Sequence, residues 1–221
     1  MKVTTDGCLF GAAVADSIEN SKLKIENILD IGTGTGLLSL MLAQKIDAKI
    51  DAVEIDENAY LQAKENFGQS PWKARLAIFN TDVLHFNSLG KYDCIITNPP
   101  FFEDDLQSED ESKNKAKHAS TLTLKELLLA IHANLKNDGN FFILLPYHRS
   151  NYFEHEATLA GFYLKEKIEV RQTPQHDFFR VIMHFSRSES GTAINELTIK
   201  NAAGNYTDEF IALLKDYYLF A

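Results

Sequence analysis

The sequence predicts an α/β fold: a mostly parallel, doubly wound sheet that closes with an antiparallel hairpin toward its C-terminal end. Three observations predict it. Short apolar runs at residues 25–31, 50–55, 74–79, 92–97 and 141–145 are separated by helical patterns or by turn-rich connections. The first run leads into Gly32-Thr33-Gly34-Thr35-Gly36, a glycine turn that opens a helix. Residues 162–171 and 178–187 behave differently, alternating apolar and polar side chains around Thr173-Pro174-Gln175-His176. Strand-helix-strand repeats at this pitch pair in parallel through right-handed crossovers. Period-two alternation instead marks half-exposed strands joined as a hairpin.

Each element has its own local cause. Helices are expected at 8–18, 37–45, 57–67 and 124–135. The last places Leu127, Leu128, Ile131 and Leu135 on one face. The first has a candidate cap in Asp6 or Thr5. Residues 103–120 are polar with little periodicity and read as a long loop beside a site. They serve either as a lid or substrate clamp, or as a solvated insertion. Residues 191–221 read as a C-terminal extension, and the 221 residues as one domain.

Composition bounds the function. Hydrophobic content of 45% and charged content of 24% suit a soluble globular protein. No apolar stretch approaches the ~18 residues of a membrane span, and the first residues lack a signal-peptide layout. Cys8 and Cys94 without a CxxC spacing suggest reduced thiols in a cytoplasmic protein and no structural metal. A net charge of −9 argues against coating nucleic acid non-specifically. A local basic patch remains open to it, with candidates Lys113, Lys115, Lys117, His118, Arg149, Arg171 and Arg180.

The candidate site follows the strand ends. Alternate glycines at 32, 34 and 36 let the backbone approach a ligand, and the helix they open attracts negative charge. A dinucleotide fingerprint would need glycine at 37, where Leu37 stands. Asp30 precedes the turn, where an amino group could bind. Thr33 lies within it. An amino-acid end with no pyrophosphate describes S-adenosylmethionine. Glu54, with Ile55 beside it, ends the second strand where an acid accepts ribose hydroxyls. Asp82 could accept from an adenine amine, with the Val83 backbone N–H nearby. Each acid alone serves equally well as a surface group or cap. Together they fall on the ligand-binding edge of a doubly wound sheet. Thr5 begins a segment that either caps a helix or closes over the methionine end.

The fourth strand runs into Asn98-Pro99-Pro100-Phe101. Two prolines stiffen the turn, Asn98 supplies an acceptor and Phe101 a flat apolar face. A planar –NH2 group on a nucleobase or amide suits such a site.

The string from Asp30 to Gly36, Glu54, Asp82 and Asn98 to Phe101 resembles the amino-methyltransferase branch of Rossmann-like, S-adenosylmethionine-dependent enzymes. Lys2 to Gly7, Lys117-His118-Ala119 with Leu122-Thr123-Leu124, and the tail from Tyr206 to Leu219 are similar to the tRNA1(Val) adenine-37 N6-methyltransferase family. Members usually carry an aromatic and basic segment before the Lys-Val-Thr-Thr-Asp-Gly stretch. The resemblance implies methyl transfer to N6 of adenine beside the anticodon of a valine tRNA. Asn98 and the Pro99 carbonyl would clamp the amine, Phe101 would stack the base, Lys113, Lys115, Lys117, Arg149 and Arg180 would contact phosphates, and His118 would either do the same or take a capping role before Leu122. Two rivals stand beside it: methylation of another RNA base or a protein glutamine amide, and a non-catalytic RNA-binding module.

Overall fold

The computed structural model describes residues 4–21, 23–86, 88, 90–100 and 122–219. Eight strands form one sheet: β1 (Asn27–Ile31), β2 (Lys49–Glu54), β3 (Leu76–Asn80), β4 (Tyr92–Thr97), β5 (Leu135–Pro146), β6 (Tyr163–Arg171), β7 (Phe178–Ser186) and β8 (Ala193–Thr198). Their order is β3-β2-β1-β4-β5-β7-β6-β8. Six helices accompany them among the described residues: α1 (Thr5–Asn20), α2 (Leu37–Lys45), α3 (Glu57–Gln69), α4 (Leu124–Asn134), α5 (Ser150–Leu159) and α6 (Asp208–Leu214).

Strands β3 to β5 run parallel, β7 runs against both β5 and β6, and β8 lies parallel to β6. The doubly wound sheet with its antiparallel hairpin is therefore as the sequence predicts. Central strands read as unbroken apolar runs because both faces are covered. Ile28, Cys94 and Phe142 face a core built with α1 and α2, including Phe10 and Leu42. Leu29, Ile95 and Phe141 face a second core with Leu127 and Ile131 of α4 and Phe153 of α5.

Several boundaries differ from expectation. Thr4, not Asp6 or Thr5, caps α1: its side chain accepts from the Gly7 N–H at 3.3 Å. Thr5 is already helical, and Asp6 turns one oxygen to Arg180. The hairpin inserts with β7 beside β5, leaving β6 outside. Strand β8 and helix α5 were not foreseen. The C-terminal residues are more than an appendage, since Phe210 and Leu214 are fully buried in the α1 core. An ion pair of Lys45 with Asp216 and a Tyr217 hydroxyl donating to the Met41 carbonyl at 3.3 Å fasten the tail to α2.

Candidate active site at the β1–β4 switch point

The chain moves outward from β1 to β2 and β3, then returns to β4 on the other side of β1. Crossovers on either side of this point leave a crevice at the carboxyl ends of the strands, where open α/β sheets bind ligands. Ile31 and Thr97 are opposed there, and the Thr97 hydroxyl donates to the Ile31 carbonyl at 3.0 Å. The glycine turn and Asn98 therefore leave adjacent strands at the same level.

The turn has φ of +70° at Gly32, +60° at Gly34 and +86° at Gly36. Gly36 is constrained twice. A Cβ there would meet a Phe67 ring carbon of α3 at 2.5 Å, and its left-handed backbone disfavours any L side chain. The Gly32 and Thr33 N–H groups donate to the Val53 carbonyl at 2.9 and 3.2 Å, and the Asn66 side chain donates to the Thr35 carbonyl at 2.9 Å. Two residues that sequence reasoning left unassigned, Asn66 and Ser39, thus shape the site.

Asp30 is completely buried. Its Oδ2 accepts the Thr33 hydroxyl at 2.6 Å and the Ser39 hydroxyl at 2.7 Å. Its Oδ1 is buried and unpartnered among the described residues. Burial pushes the carboxyl up to about 6 against the pull of the two hydroxyls, and the Glu54 charge adds to the rise. A buried carboxylate oxygen with no partner is costly unless something cationic or hydrogen-donating meets it. The signal for Ser39 was present in the sequence, as the lone hydroxyl in the apolar run from Leu37 to Leu42.

Glu54 ends β2 nearly buried, and binds the turn: Oε2 accepts the Gly34 N–H at 2.8 Å and Oε1 the Asp56 N–H at 2.9 Å. Ile55 beside it is 62% exposed, an apolar shelf at the site's margin. Asp82 caps a short 3-10 turn, accepting the Leu84 N–H at 2.9 Å, and Val83 is buried beneath. These residues occupy the β1–β2–β3 side of the edge.

On the β4 side, Pro99 is buried and Pro100 exposed. The Asn98 Oδ1 is buried and has no hydrogen-bond partner among the described residues. The first turn of α1 lies against it: a Cβ on Gly7 would stand 4.0 Å from the Asn98 Nδ2 and 3.7 Å from Leu37. Thr5 sits exposed on that turn. Burial opposes ionisation of Asp6, but hydrogen bonds from Thr4, Arg180 and Gly7 outweigh it and hold the carboxyl below its usual range. The Arg180 guanidinium meets Asp6 at 2.9 Å, tying α1 to β7 and not standing as a solvated cation. Arg149 is half-buried over the Tyr152 ring at 5.8 Å. Phe101, Lys113, Lys115, Lys117 and His118 lie outside the described residues.

Among the described residues no group of His, Cys, Asp and Glu suits a metal ion, and no helix is long and apolar enough to cross a membrane.

Comparison with known proteins agrees with this fold. The methyltransferase small domain family model matches residues 12–154. A tRNA1(Val) (adenine(37)-N6)-methyltransferase of Dyadobacter fermentans is 43% identical, over 99% of this chain and 91% of that protein. The enzyme of the same name from Photorhabdus laumondii is 38% identical, over 100% of this chain and 89% of that one. Among solved structures, a predicted O-methyltransferase from Agrobacterium tumefaciens superposes with a TM-score of 0.70 at 14% identity, covering 98% of this chain and 99% of that chain. A ribosomal protein L11 methylase from Lactobacillus delbrueckii gives a TM-score of 0.58 at 19% identity, covering 81% and 78%. At these identities the structural likeness is one of fold.

Proposed function

The chain belongs to the tRNA1(Val) (adenine(37)-N6)-methyltransferase family, and on that premise we propose that it transfers a methyl group from S-adenosylmethionine to the exocyclic N6 of adenine 37 in a valine tRNA. The observation that carries this reading is the Asn98 carboxamide oxygen, buried and without a hydrogen-bond partner among the described residues, at the end of β4 beside the glycine turn.

The residues present fit the cofactor. The orphaned oxygen of Asp30 matches an α-ammonium group, by charge and by hydrogen-bond need. Glu54 has acceptor capacity left for ribose hydroxyls after binding two backbone amides. The exposed Ile55 offers a face to the adenine ring, and Asp82 with the Val83 N–H reads its edge. Thr5 covers the methionine end from α1. When bound, S-adenosylmethionine supplies a methyl group on an electron-poor sulfonium centre.

Everything else falls to the chain. The lone pair of an aromatic amine is delocalised and weakly nucleophilic. Asn98 Oδ1 and the Pro99 carbonyl accept its two N–H groups and favour a pyramidal nitrogen. These acceptors gain strength as positive charge grows on the nitrogen, so they stabilise the transition state more than the ground state. Two prolines hold the acceptors in place without reorganisation. Phe101 stacks on the base in this reading. The target adenine lies in an anticodon loop, where bases are unpaired and leave the stack cheaply. The whole chain acts as one domain, since β8 and α6 complete the sheet and the core that α1 begins, and it acts in the cytoplasm, where its tRNA substrate is.

The test is incubation with labelled S-adenosylmethionine and unmodified valine tRNA, followed by nucleoside analysis. Label in N6-methyladenosine at position 37 is the expected product. Cofactor binding without label in tRNA would overturn the substrate.

A further inference from the structure

The carboxyl edge of the sheet continues past Asn98. Strand β5 lies next to β4, with Ile143 opposite Thr97, and runs on to Pro146, which lies opposite Arg180 of β7. Adjacent strands are about 4.8 Å apart, so these two positions stand about 5 and 10 Å from the line of β4. The cofactor residues occupy the β1–β2–β3 side, which leaves this side for the acceptor.

Aromatic rings and guanidinium groups interleave along it. Tyr147 and Phe178 meet at 5.3 Å between centroids. Arg171 lies over Phe178 at 5.2 Å, Arg180 over Phe179 at 5.5 Å and Arg149 over Tyr152 at 5.8 Å. Tyr147, Phe178 and Phe179 are half-buried, and Tyr152 is 45% exposed.

We infer that this rim is a stacking platform for the unpaired nucleotides that flank the target base; the inference rests on the RNA methyltransferase reading above. Every base presents a π-face, and a guanidinium plane over an aromatic ring extends the stack without sequence preference. Net charge does not build the surface. Arg171 is paired with Glu196 at 2.8 Å and Arg180 with Asp6 at 2.9 Å, while Arg149 has no ion pair among the described residues. The rim therefore binds RNA mainly by stacking, with a shallow salt dependence.

The experiment uses unmodified valine tRNA in filter binding at fixed salt, with cofactor affinity measured by calorimetry. Tyr152→Ala and Phe178→Leu each remove a π-face, and Phe178→Tyr restores one. Loss of one stacked base weakens RNA affinity about 5- to 150-fold. The expected result is that loss for the first two, near wild-type RNA affinity for Phe178→Tyr, and unchanged cofactor affinity in all three. Wild-type protein that binds and methylates tRNA, with variants that bind it equally well, would overturn the platform alone. An equal loss on a fully paired, blunt-ended RNA duplex, whose bases are stacked within the helix, would also overturn it. Wild-type protein that binds no tRNA would overturn the substrate reading and the platform with it.

Discussion

Replacing Asp30 by asparagine separates what the site costs from what it does. Complete burial raises the Asp30 carboxyl to about 6, from an ordinary 3.8. Between those values the folded state holds a proton that the unfolded chain has released, so stability falls as pH rises through this window. About two pH units correspond to about 3 kcal/mol, all of it present as a penalty above pH ~6. The Asp30→Asn variant carries no such penalty, and its carboxamide oxygen still accepts the Thr33 and Ser39 hydroxyls. Its amide nitrogen replaces the unpartnered oxygen and leaves a buried donor, at about 1–3 kcal/mol. The cofactor-free variant should therefore be no more stable than wild type near about pH 5. Toward about pH 8 it should gain about 1.5 kcal/mol relative to its standing at about pH 5, because roughly half of the penalty has already developed there, which is about 3–6 °C in melting temperature for a chain of this size. Thermal melts of both proteins across that range give the difference. Calorimetry should show the opposite trend in function, with cofactor affinity lost at every pH. Parallel melting curves would refute the buried-charge argument, and undiminished cofactor affinity would remove Asp30 from the ammonium role.

Asn98→Ala should lower turnover about 100-fold or more, the scale of a lost transition-state acceptor, while calorimetric cofactor affinity stays near wild type. Glu54→Ala should weaken cofactor binding about tenfold, because it removes both a ribose acceptor and the anchor of the Gly34 amide; unchanged affinity would clear it of both. Gly36→Ala should cost more than about 2 kcal/mol in urea unfolding, from a left-handed backbone and a 2.5 Å approach to Phe67. His184 is driven down to about 4 by burial, with Lys165 adding to the shift. The unfolded chain takes up its proton first as pH falls, so stability is lost from about pH 6.5 down to 4, by about 3 kcal/mol. His184→Gln should flatten that limb of the urea-stability profile. The sign is opposite to that of Asp30, so each variant should expose the other's slope.

The parallel half of the sheet was legible because strands buried on two faces must be apolar throughout, and because glycine at 32, 34 and 36 has few other uses at a strand end. Asp30, Glu54, Asp82 and Asn98 were legible for the same reason: a parallel sheet gathers its carboxyl ends along one edge whatever the helices do. Other features depended on contacts across long stretches of chain. The hairpin at 162–187 carries period-two alternation in either insertion order, and only packing against β5 puts β7 inside. Strand β8 has mostly exposed side chains and gains its place from hydrogen bonds to β6. Asp6 and Arg180 are far apart in the chain, and Thr4 became the cap once Asp6 was drawn to that cation. Local pattern thus determined the parallel strands and the edge along which the candidate residues gather. The tertiary structure alone decided which polar atoms were left unpartnered, because a hydrogen-bond deficit belongs to the whole packed surroundings and not to any one segment.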